Sequence, residues 1–159
     1  MASPKKRNNA PAPGVRTGPS PDDPHDIVYF KPHAGDDPEQ AEPGLDALRS
    51  WPPSVRAKTN AVLIAVATAP PKRFAGGRYW EAMKGTMRGW FEVRIDGPKR
   101  HHYRLFCLLD YEAKGHDKGL LVVVDGHDKP FRTTLSDADY AAVRTLGHEY
   151  CNRNPRSIV

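Results

Sequence analysis

Between Trp90 and Ile95 apolar and polar positions alternate, with Phe91, Val93 and Ile95 on one face of a strand and Trp90, Glu92 and Arg94 on the other. A turn, Asp96-Gly97-Pro98-Lys99-Arg100, follows, and its Asp-Gly pair is a strong hairpin signal. His102 to Leu109 then forms the returning strand: Tyr103, Leu105, Cys107 and Leu109 lie opposite His102, Arg104, Phe106 and Leu108. Leu120 to Val124 is an unbroken apolar run, which suits a central strand covered on both sides.

Helical spacing governs the flanks. Ile27 to Phe30 reads as a short strand closed by Pro32. A polar loop leads into a short helix over Gly44 to Trp51. Pro52 stops it, and Pro53 opens a second helix whose Val55, Val62, Leu63 and Val66 recur at helical spacing, ending before Pro70. Gly76, Gly77 and Gly85 restrict the next segment to a turn or a short strand around Tyr79 to Met83. Ser136 is a natural N-cap for a last helix carrying Tyr140, Val143 and Leu146 and ending near Tyr150. The expected order is β-α-α-β-β-β-α. This is an α+β fold in which a small, mostly antiparallel sheet packs on an N-terminal helical hairpin and leaves the centre of its other face open.

Composition narrows this picture. The first 53 residues hold 11 of the 16 prolines, and Met1 to His25 is too poor in apolar side chains to offset its ordering entropy. We expect a disordered basic tail over residues 1–25, one domain over residues 26–152, and a flexible end over residues 153–159. Net charge is +5, from 24 Lys and Arg against 19 Asp and Glu. That permits binding to nucleic acid without demanding it. Cys107 and Cys151 have no metal or redox spacing and read as reduced thiols of a cytoplasmic protein. The longest apolar run, Ala61 to Ala67, is far short of a bilayer span, and no signal-peptide core opens the chain. His101, His102, His116 and Cys107 lack ligand spacing, so no metal and no other cofactor is expected.

The chemistry to explain is the pair of arginines in the hairpin. Arg94 and Arg104 fall on one face of adjacent strands, where two guanidinium groups repel unless an anion or a carboxylate joins them. Two readings stand at this point: a surface salt-bridge cluster using Glu92, or a basic face for a phosphodiester. Lys84 and Arg88 before the hairpin and Lys129 and Arg132 after the last strand extend a basic rim, and Trp90 and Phe106 would supply stacking surfaces.

The succession Met83-Lys84-Gly85, Glu92-Val93-Arg94, Tyr103-Arg104-Leu105-Phe106, Leu120 to Val124, Lys129 to Thr134 and a helix from Ser136 resembles the RelE/ParE superfamily. These are toxins of bacterial toxin–antitoxin pairs, and the closest flavour is HigB and its phage-derived relatives. The resemblance implies a metal-independent endoribonuclease that cuts mRNA, bound to the ribosome or free of it, and is neutralised by a cognate antitoxin protein. It also implies roles. Arg104 would contact the scissile phosphate, and Arg94 matches the basic position on the preceding strand. Glu81 would act as general base, as in the YoeB branch, and His127 as general acid. Lys129 and Arg132 would support the phosphate. The chain departs from that pattern at Phe131, which lacks the hydroxyl of a site tyrosine, and at Asp125 and Asp128, which oppose a phosphate. The alternative is a noncatalytic member of the same fold, binding a protein target as a gyrase poison or a phage accessory protein would.

Overall fold

The computed structural model describes residues 18–69 and 77–159. Most of the expected disordered tail lies outside them. Gly18 to His25 are described: Asp23 and His25 are buried, and His25 Nε2 lies 2.7 Å from the Tyr111 hydroxyl.

The elements run β1 (His25–Tyr29), α1 (Pro43–Ser50), α2 (Pro53–Thr68), β2 (Trp80–Ala82), β3 (Phe91–Gly97), β4 (His101–Asp110), β5 (Gly119–Pro130) and α3 (Asp137–Cys151). The class is α+β, with one five-stranded mixed sheet in the order β1-β5-β4-β3-β2. Its β1–β5 pairing is parallel and the other three are antiparallel. The short strand between the glycines forms as β2, which adds one strand to the expected order.

Prolines set both N-terminal helix starts, where their missing N–H would have no partner in any case. Leu48 of α1, Trp51 and Val55, Leu63 and Val66 of α2 bury against Val93, Ile95, Leu105, Cys107, Leu121 and Val123. Helix α3 starts in a capping box: the Ser136 hydroxyl accepts from the Asp139 N–H at 3.1 Å, and the Asp139 carboxylate accepts from the Ser136 N–H at 2.8 Å. Such caps contribute about 0.5–2 kcal/mol.

Helix α3 corrects the expectation of an open second face. Its Val143 and Tyr150 join Phe30, Met87, Trp90, Phe106, Leu120, Val122 and Val124 in a second apolar core. The sheet is therefore covered on both sides, and its polar surface is confined to one region of the second face. The Asp-Gly pair also differs from expectation. Gly97 ends β3 opposite His101, and the turn is Pro98-Lys99-Arg100, with Lys99 and Arg100 at φ 62° and 57°. What Gly97 supplies is room, since a Cβ there would stand 2.7 Å from both Tyr103 and Val55.

Residues 153–159, expected to be flexible, fold back on β1. Tyr29 and Val159 exchange backbone hydrogen bonds of 3.0 and 2.8 Å, and Ile158 bridges Phe30. Arg156 reaches Asp110 at 2.8 Å.

Candidate functional site

The hairpin register places Arg94 directly opposite Arg104, and alternation puts Glu92, Arg94 and Asp96 on the face shared by His102, Arg104 and Phe106. The next strand contributes through an irregularity. Phe106 pairs with Asp125 but Cys107 pairs with Val123, so Val124 is an extra residue. Leu120, Val122 and Val124 face the second core. Strict alternation from them would send His127 to the opposite face. The bulge reverses that parity, so Asp125, His127 and Lys129 stand beside Phe106, Arg104 and His102. Gly126 then turns toward α1, where a Cβ would lie 2.7 Å from that of Ala47.

Arg94 is held firmly. Its Nη1 donates to both Glu81 oxygens, at 2.6 and 3.0 Å, and its Nε lies 3.5 Å from Glu92. Arg104 is different. It is only 8% exposed, its Nη1 donates to the Tyr103 carbonyl at 3.1 Å, and its carboxylate neighbour is Asp96 at 3.7 Å. Burial, and then the charge of Arg94, lower its hold on the proton, against the pull of Glu92 and Asp96. It lines an open cavity of about 500 Å³ together with Glu81, Arg94, Ile95, Asp96, Lys58, Arg78 and Tyr79. A largely buried guanidinium beside a second one, bordering an open space, is suited to an oxyanion.

The titratable groups around Arg104 divide into two kinds. Burial raises the pKa of Glu92, against Arg104 and Arg94, which lower it. His127 is raised by its hydrogen bond to Asp125, 3.2 Å from Nε2, with burial opposing. Asp96 is lowered by its 2.6 Å hydrogen bond with His102. Lys129 is lowered by burial and by Arg104, and its Nζ donates to the Thr133 carbonyl at 2.6 Å. From α3, the Tyr140 ring meets Phe106 edge-on at 6.0 Å, and burial followed by Glu92 raises its hydroxyl.

The structure thus brings Glu81, Arg94, Arg104, His127 and Lys129 onto one face. Glu81 and the two arginines line the cavity; His127 flanks Arg104 on its other side. Lys84 and Arg88 are exposed on the turn between β2 and β3, and Arg132 is exposed in the turn after β5 at φ 66°. Trp90 corrects the stacking expectation. It is 8% exposed and seated under α3, where a Cβ on Gly147 would stand 2.3 Å from its ring. Phe106 is fully buried as well. Sequence reasoning gave Glu92 only a salt-bridge role and Tyr140 only a core role, and it gave no role to Lys58 or Arg78. Among the described residues no group of three or more His, Cys, Asp or Glu side chains could hold a metal ion, and no helix is long and apolar enough to cross a membrane.

No protein-family model, curated protein or solved structure matches this chain.

Proposed function

We propose that the chain is a metal-independent endoribonuclease of the RelE/HigB kind, with a RelE-like arrangement of its α+β fold. Its substrate is mRNA on the ribosome, its compartment the cytoplasm, and its regulator an antitoxin protein that covers the arginine face. One observation carries the reading: Arg104, largely buried, stands between Arg94 and His127 across two strand ladders and borders an open cavity.

Cleavage of this type moves one proton in and one out. A base takes the proton of the ribose 2′-OH, and the 2′-oxygen attacks phosphorus. An acid protonates the departing 5′-oxygen, leaving a 2′,3′-cyclic phosphate and a 5′-hydroxyl. Arg104 and Arg94 stabilise the added charge on the pentavalent phosphate. His127, kept protonated to higher pH by Asp125, is the acid. Glu81 is engaged through both oxygens with Arg94, which makes it a positioning residue for that arginine. Glu92, whose pKa burial raises and which lies on the same face beside Arg94, is the base.

One observation favours the noncatalytic alternative. Glu81, Glu92, Asp96 and Asp125 surround the cations and offset much of their charge. Induced expression of wild type beside Arg104→Ala separates the readings. Growth arrest with mRNA cleavage, both lost in Arg104→Ala, supports the nuclease. Arrest with intact mRNA in both strains indicates a protein target, and no arrest in either overturns the toxin reading.

A further inference from the structure

The cavity beside Arg104 extends past the catalytic face. Strand β2 pairs only with Phe91 to Val93 of β3, so Arg94 to Gly97 run beyond it. The space left along that edge is bordered by groups from two other elements: Lys58 on α2, and Arg78 and Tyr79 on the short turn before β2. Tyr79 is 42% exposed and is one of three large hydrophobic side chains exposed among the described residues. The Arg78 guanidinium lies 5.3 Å from its ring centroid, and Arg78 donates to its hydroxyl at 3.4 Å. Nothing in the two apolar cores uses Tyr79, Arg78 or Lys58.

We infer that this end of the cavity is a subsite for one nucleotide of single-stranded RNA next to the cleaved bond, an inference that rests on the nuclease reading. The base stacks on Tyr79, a sequence-tolerant contact because every base has a π face. The adjoining phosphate meets Arg78 and Lys58, while the scissile phosphate lies at Arg94 and Arg104. Asp96 in the same wall opposes a phosphate set beside it, and can accept from a base amino group or a ribose hydroxyl. A volume of about 500 Å³ is of the size that takes such a group. Two sets of cations on different elements, with an exposed aromatic among them, fit a chain of alternating phosphate and base better than they fit a lone anion.

The test is binding of a short single-stranded RNA with 2′-O-methylated riboses, which cannot be cleaved. Tyr79→Ala is expected to weaken binding roughly 5- to 150-fold, and Tyr79→Phe to keep wild-type affinity. Arg78→Ala should weaken binding and flatten its salt dependence by about one phosphate contact. Tyr79 is exposed, so thermal unfolding should be unchanged in both of its variants, which separates a lost contact from a lost fold. Unchanged binding by Tyr79→Ala overturns the subsite, as does equal loss in Tyr79→Phe or failure of the wild type to bind. Cleavage of unmodified RNA, lost in Arg104→Ala, judges the nuclease reading separately.

Discussion

Arg104 and His127 face each other across β4 and β5 because one residue, Val124, has no partner in the ladder. Without that bulge His127 would point into the core under α1 and α2, and Arg104 would face a glycine. The irregularity therefore sets which side chain neighbours the buried guanidinium, and it places the His127 imidazole, whose pKa Asp125 raises, beside Arg104.

Removing the guanidinium tests its proposed role as an oxyanion partner. Arg104→Ala should lower the RNA cleavage rate about 10²–10³-fold, the usual cost of losing one preorganised donor. Arg104→Lys should recover only part of this, because an ammonium restores charge without the planar fork. Stability should change little, since the substitution also relieves repulsion from Arg94. Cleavage rates and urea midpoints for both variants check this. A large fall in midpoint with an unchanged rate would make Arg104 a structural residue.

The pH dependence follows from His127. Asp125 holds its pKa above the ordinary value of about 6.5. Stability from that pair is therefore full below the unfolded-state pKa and is lost as pH rises through the higher folded value. Under the proposed mechanism, with His127 as acid and Glu92 as base, activity should fall on the alkaline side through His127 and on the acid side through Glu92. Asp125→Asn should move the alkaline limb to lower pH and leave the acid limb in place. His127→Ala should cost about 10²–10⁴-fold in rate. Rate against pH for wild type and Asp125→Asn decides it, and an unmoved alkaline limb would remove His127 from the mechanism.

Trp90 gives a contrasting expectation, because its ring is packed under α3 in the second core. Trp90→Ala should lose about 3–5 kcal/mol of stability. Gly147→Ala should lose about 1–3 kcal/mol by crowding the same ring. Urea unfolding measures both. A Trp90→Ala protein of wild-type stability that bound RNA poorly would restore the stacking role.

These cases show what the sequence makes legible. Alternation alone puts Arg94 and Arg104 on one face, and the turn between them fixes their register, so both arginines could be placed before any coordinates. Alternation could not place His127, because a bulge is a property of the paired strands and alternation within one strand carries no trace of it; only the family resemblance pointed there. Trp90 was placed on the correct face, but face assignment does not say what covers the face. The helix that does so was legible as an amphipathic stripe with no stated destination. Lys58 and Tyr79 border one cavity beside the end of β2, a juxtaposition set by how short that strand is. Arg156 lies in the segment expected to be flexible, because its partner Asp110 is 46 residues away and out of reach of sequence pattern.

That last pair gives a stability prediction independent of function. Asp110 accepts from Arg156 Nε at 2.8 Å, from the Tyr150 hydroxyl at 2.6 Å and from the Glu112 N–H at 2.9 Å. The Asp110 and Arg156 side chains are 9% and 8% exposed. Burial alone would raise the Asp110 carboxyl, but the hydrogen bonds from Arg156, Tyr150 and Glu112 outweigh it and hold the pKa below the ordinary value. The stabilisation is therefore present above the unfolded-state value of about 3.9 and is lost as pH falls through the folded one. Arg156→Ala leaves the carboxylate buried without its cation and should cost about 3 kcal/mol, the lower end for a broken buried pair, because two donors remain. Asp110→Asn keeps the shape but removes the charge, so the gap between it and wild type should narrow as the solution is acidified from about pH 7 to about pH 3. Urea unfolding at both pH values measures this. A gap that stays constant would mean that Asp110 contributes through packing alone, and that the C-terminal segment is held to the sheet by Ile158 and its backbone bridge to Phe30.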